Sequence, residues 1–62
     1  MIINTKNGNM YTVKIKEINR IQNIVKWYDF ALNRTFKSPI HKGNNNIKYC
    51  IIRGTNIQLE TI

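Results

Sequence analysis

The segment Ile51-Ile52-Arg53-Gly54-Thr55-Asn56-Ile57 holds the residues best placed to do chemistry. An apolar strand runs into Arg-Gly, and a second apolar run starts two residues later. Glycine permits the tight turn this spacing demands, so Arg53 projects from a strand end. A guanidinium held on a corner suits a planar or anionic ligand, because it is a flat cation with donors in a fixed fork. Ten Lys and Arg against three Asp and Glu give a net charge of +7. So many uncompensated cations on so short a chain make nucleic acid the first candidate partner, ahead of charge kept only for solubility.

Catalytic chemistry finds few residues to work with. Glu17, Asp29 and Glu60 are the only acids and form no recognisable pair. No Ser/His/Asp or Cys/His nucleophile arrangement and no phosphate-cradling glycine loop is visible. Cys50 is the only cysteine and His41 the only histidine, so an internal disulfide is excluded and a four-ligand zinc site nearly so. The expectation is a non-enzymatic binding protein with no cofactor and no metal. No apolar run approaches the ~20 residues that span a bilayer, and no export signal opens the chain. No long basic amphipathic stretch with bulky apolar residues opposite is evident, so a membrane surface ranks third and no membrane partner is expected; an unpaired cysteine fits the nucleus or cytoplasm.

The 62 residues make one domain, 1–62, near the size at which a core stops being sufficient by itself. Partner subunits are a natural source of further buried surface. Asn7-Gly8 between apolar segments predicts a hairpin, with both turn residues tolerating positive φ. The returning strand alternates: Tyr11, Val13 and Ile15 on one face, Thr12, Lys14 and Lys16 on the other. Residues 18–32 read either way. Ile18, Ile21, Ile24, Val25, Tyr28, Ala31 and Leu32 have helical spacing, yet the stretch is rich in β-branched and aromatic residues. Residues 34–46, with Pro39, Gly43 and three consecutive asparagines, read as a cationic loop. Residues 47–53 predict a strand apolar on both faces, and residues 56–62 a last strand.

Two stretches together resemble the paired motifs of the Sm and Sm-like (LSm) family. Lys6-Asn7-Gly8-Asn9-Met10-Tyr11, then Val13 to Ile18, then Asn19-Arg20-Ile21-Gln22-Asn23-Ile24 resembles the first motif, and Ile51-Ile52-Arg53-Gly54-Thr55-Asn56-Ile57 the second. The second is most similar to Sm-D-type and LSm subunits carrying Ile-Arg-Gly. Asn19 stands where the family usually has aspartate and Gln22 where it has methionine; Lys26 and Asp29 fall in a normally apolar strand, which suggests a bulge or register shift there. The resemblance implies an all-β fold, a small, strongly bent five-stranded antiparallel open barrel without the usual N-terminal helix. It reads residues 18–32 as strand.

The same resemblance implies a subunit of a heteromeric, heptameric ring that binds uridine-rich single-stranded RNA, as in spliceosomal ribonucleoprotein cores or RNA decay. The fourth strand of one subunit would pair with the fifth of the next, accounting for the apolar second face of Cys50 and Ile52. RNA would be held by Asn23, whose amide matches a uracil edge, by Arg53 and Gly54, by Ile21 against the base, and by Asn19 supporting the loop. Lys37 and Lys42 would add weaker loop contacts along the RNA path. A homomeric ring ranks lower because of the loop departures. The rival is a small basic monomeric SH3-like or α+β interaction module or inhibitor of a nucleic-acid enzyme, in which residues 18–32 are free to be helical.

Overall fold

The computed structural model describes all 62 residues. It is all-β, with seven antiparallel strands and two short 3₁₀ turns. Strands β1 (Ile2–Asn4), β2 (Met10–Asn19), β3 (Ile24–Asp29) and β4 (Arg34–Pro39) form one sheet in that order. Strands β5 (His41–Lys42), β6 (Lys48–Ile52) and β7 (Thr55–Gln58) form a second. The expected five-stranded open barrel is thus replaced by a four-stranded and a three-stranded sheet. The difference lies in residues 34–46: the predicted loop contains β4, β5 and a 3₁₀ turn at Asn44–Asn46.

Local chemistry sets each reversal. The first hairpin turns through Lys6-Asn7-Gly8, with Thr5 N–H donating to Asn9 O at 2.9 Å. Gly8 alone takes positive φ there (84°), so Asn7 does not share the left-handed role expected of it. Residues 18–32 are neither one helix nor one strand. They hold the end of β2, the four-residue loop 20–23, all of β3 and most of the loop 30–33. The two loops are built alike. Asn19 and Asp29 accept hydrogen bonds from backbone N–H groups two or three residues on, and Asn23 and Asn33 close the loops at φ 64° and 54°. A carboxyl or carboxamide oxygen imitates a backbone turn acceptor, and asparagine tolerates the left-handed region better than most residues.

Alternation along β3 splits it cleanly. Val25, Trp27 and Asp29 are buried, while Ile24, Lys26 and Tyr28 are half-exposed on the other face. The predicted irregularity appears opposite Lys26, where β2 bulges between Ile15 and Glu17. At Asp29 the pairing with Val13 is regular. A buried acid is tolerated in this strand because Arg53 reaches it.

The core lies between the sheets: Ile3, Val13, Val25, Trp27 and Ile40 meet Cys50, Ile52 and Leu59. Ser38 ties the two layers together. Its hydroxyl accepts from Trp27 Nε1 at 2.8 Å and donates to Ile51 O at 3.0 Å. Ser38→Ala leaves both partners short of a bond inside the molecule and should cost roughly 2 kcal/mol, read as a lowered midpoint in thermal or urea melts. Cys50 and Ile52 are fully buried in the chain's own core, so no neighbouring subunit is needed to explain them. Strand β6 is flanked by β7 on one side and by β5 and Ser38 on the other. The last predicted strand is shorter than expected, ending at Gln58 before a 3₁₀ turn that buries Leu59.

Candidate nucleic-acid interface

The Arg-Gly corner is a two-residue hairpin loop, Ile52 being paired with Thr55. Arg53 and Gly54 have φ 54° and 73°, the double left-handed geometry that suits the twist of the flanking strands. A Cβ on Gly54 would meet nothing within 4 Å. The glycine is therefore required by conformation and not by crowding from the rest of the chain. Gly54→Ala should cost about 1 kcal/mol through backbone strain alone, visible in a melt and absent from any binding isotherm of the folded protein.

Arg53 turns inward. Its Nε donates to Asp29 Oδ2 at 2.7 Å, and its guanidinium carbon lies 4.0 Å from the centre of the Tyr11 ring. The hydrogen bond from Arg53 is the main reason the Asp29 carboxyl is held below the ordinary carboxylate range. Burial opposes the lowering, and the N–H groups of Leu32 and Ala31 reinforce it. The same hydrogen bond raises the Arg53 pKa further. Charge, ring face and carboxylate are mutually satisfied, so the group that looked most like a ligand grip fastens the β6–β7 hairpin to β3.

Asn23 sits at the opposite end of β3. Its Nδ2 donates to Ile40 O at 3.0 Å and its backbone O accepts from Ile40 N–H at 2.9 Å, clasping the β2–β3 loop to the β4–β5 corner. Six residue steps along β3 separate Asn23 from Asp29, the Arg53 partner, roughly 20 Å at strand rise. Asn23 and Arg53 are not brought together, and Gly54 lies with Arg53. Ile21, at the tip of the loop after β2, is 98% exposed. Asn19 is half-buried on β2, its Oδ1 accepting from Gln22 N–H at 2.9 Å.

Lysines converge elsewhere. The outward face of the four-stranded sheet carries Lys14, Lys16, Lys26 and Lys37 around Tyr28. Lys14 is directly across from Tyr28, and the Lys16 ammonium is 5.8 Å from the Tyr28 ring centre. Phe30 packs edge-on to the same ring at 5.0 Å and is 54% exposed. Lys26 is paired directly with Lys37 across β3 and β4. On the second sheet Lys42 is paired directly with Lys48. Lys37 and Lys42 thus occupy strands, not a loop. Like charges in register destabilise a sheet, and little offsets them: Lys26 has Glu17 at 3.9 Å, and eight of the ten Lys and Arg have no acidic partner.

Sequence reasoning read Lys14 and Lys16 as one strand face but missed their grouping with Lys26 and Lys37. The alternation in β2 was legible; the register that adds β3 and β4 was not. The remaining candidates for chemistry are quiet. Burial pushes the Cys50 thiol up, away from reactive thiolate, and His41 stacks on Tyr49 with ring centres 5.3 Å apart. No protein-family model, no curated protein and no solved structure matches the chain.

Proposed function

We propose that this protein binds single-stranded RNA across the outward face of its four-stranded sheet, as a small non-catalytic β module. The observation that carries the reading is the direct pairing of lysine with lysine on adjacent strands, Lys26 with Lys37, repeated by Lys42 with Lys48. Folding gains nothing from such pairs, and a phosphate backbone along the four-stranded sheet relieves the first. Tyr28, half-exposed, and Phe30, exposed, stand among these lysines and offer ring surface for a base. A single strand presents its base faces to such a sheet, whereas a duplex hides them.

The Sm-like form of the proposal would have a subunit with a uridine pocket at one rim and a fourth strand free to pair with a neighbour. Asn23 and Arg53 at opposite ends of β3, and β6 flanked on both sides, lend that form no support. The lysine face, and not the Asn23–Arg53 pair, therefore carries the proposal. The test is fluorescence anisotropy of the protein with a labelled uridine-rich oligonucleotide and its duplex at several salt concentrations. The expected result is salt-sensitive binding that favours the single strand. Absence of binding at low salt, or equal binding of the duplex, overturns the proposal.

A further inference from the structure

Below the β2–β3 loop the outward face dips into a cleft of about 290 Å³, lined by Glu17, Asn19, Gln22, Ile24, Lys26 and Lys37. Its size is at the small end of ligand pockets, which start near ~300 Å³, and suits one nucleotide unit. Strand register explains why these side chains meet. Glu17 opposes Lys26, Lys26 opposes Lys37, and Asn19 opposes Ile24, so all six come from one sheet face and the loop above it.

Glu17 is the acid of the cleft, 3.9 Å from the Lys26 ammonium; each of the other five residues has a chemical capacity left over. Lys37 has no acidic partner, and Lys26 has only a 3.9 Å contact with Glu17. Two lysines paired across adjacent strands and lining one cleft offer a phosphate two charge-assisted hydrogen bonds in place of their mutual repulsion. Asn19 spends its Oδ1 on Gln22 N–H, so its Nδ2 keeps donor capacity. The Gln22 side chain is exposed and makes no hydrogen bond within the chain. Ile24 provides the one apolar surface in the cleft.

We infer that this cleft is a base-contacting nucleotide subsite, resting on the RNA-binding reading above. The phosphate sits between Lys26 and Lys37, and the base lies over Ile24 with its edge within reach of the Gln22 and Asn19 carboxamides. Carboxamides supply both donors and acceptors, so the subsite senses the presence of a base and does not merely attract backbone charge. Tyr28 and Phe30 offer stacking that any base satisfies; this cleft adds contacts to a base edge.

The test compares labelled uridine oligomers with abasic ribose-phosphate oligomers of equal length, by anisotropy at fixed salt. Wild-type protein is expected to bind the base-bearing strand several-fold more tightly. Gln22→Ala, an exposed loop change, should reduce that difference by about twofold or more while leaving abasic binding unchanged. Lys37→Ala should weaken both oligomers alike and lower the salt slope by about 0.7. A Gln22→Ala loss shared equally by both oligomers overturns the subsite alone, whereas equal wild-type affinity for the two overturns the subsite and the stacking on Tyr28 and Phe30 together. Failure of wild type to bind either oligomer overturns the subsite and the RNA-binding proposal alike.

Discussion

Asp29→Ala is expected to be the most destabilising single substitution in the chain. The Asp29 side chain is fully buried, its Oδ1 accepts from the N–H groups of Ala31 and Leu32, and its Oδ2 accepts from Arg53. Truncation leaves two turn donors without an acceptor, worth roughly 3 kcal/mol. In a domain of this size each 1 kcal/mol moves the melting temperature by ~4–8 °C, so a loss above ~12 °C is expected in a thermal melt. Asp29→Asn separates the two roles. Its Oδ1 can still serve the turn, and only the ionic link to Arg53 is lost, so its melt should fall between wild type and alanine.

The same residue gives stability a pH signature. The folded-state pKa of Asp29 is lowered, so its contribution is fully present above the unfolded carboxylate value of ~3.9. It is lost as pH falls below that value and through the folded one. Wild-type stability attributable to this link should hold from neutral pH to about pH 5 and decline below pH 4. In Asp29→Asn that part of the acid decline should be missing. An identical acid limb in wild type and Asp29→Asn contradicts the assignment.

The second large effect concerns binding. Changing Lys14, Lys16, Lys26 and Lys37 together to alanine removes four cations from one sheet face. If each meets a phosphate, the slope of log affinity against log salt should fall by about 3. Affinity near 0.1 M salt should drop on the order of 100-fold. The fold should survive, because Lys14, Lys16 and Lys37 are exposed, Lys26 is half-exposed, and removing the Lys26–Lys37 pair relieves a repulsion. Lys6→Gln, in the first hairpin away from this face, should change affinity by less than about twofold. An unchanged salt slope in the fourfold variant places the contacts elsewhere.

Much of the architecture was readable in the residues. The first hairpin, the alternation of β2 and the Arg53-Gly54 reversal rest on turn chemistry and period two, which act locally; the all-β class rested on the family resemblance, because residues 18–32 read either way by pattern. Strand β4 was not readable by those signals. Arg34-Thr35-Phe36-Lys37-Ser38-Pro39 has one large apolar residue facing in, Phe36 against Trp27, and its second inward position is Ser38. A strand that seals its layer with a hydroxyl shows little hydrophobic alternation.

That one strand decided the site. Without β4, the strand ending at Arg53 would run back along β3 and bring Arg53 to Asn23. One additional reversal inverts the direction of everything downstream, so Arg53 arrives beside Asp29 instead. A signal for the missing strand was present all the same. Asn19 to Asn23 and Asp29 to Asn33 repeat the same loop pattern ten positions apart, each with a side-chain acceptor at the start and a left-handed asparagine at the end. Recognising the second loop as a copy of the first requires a returning strand after Asn33.

The most direct measurement is a ¹H–¹⁵N and side-chain NMR titration of the protein with a short uridine-rich oligonucleotide. The outward-face account expects the largest shifts at Lys14, Lys16, Lys26, Tyr28 and Lys37, with Gln22 among them and Arg53 Nε little changed. Shifts centred on Asn23 and Arg53, with the lysine face silent, would contradict it.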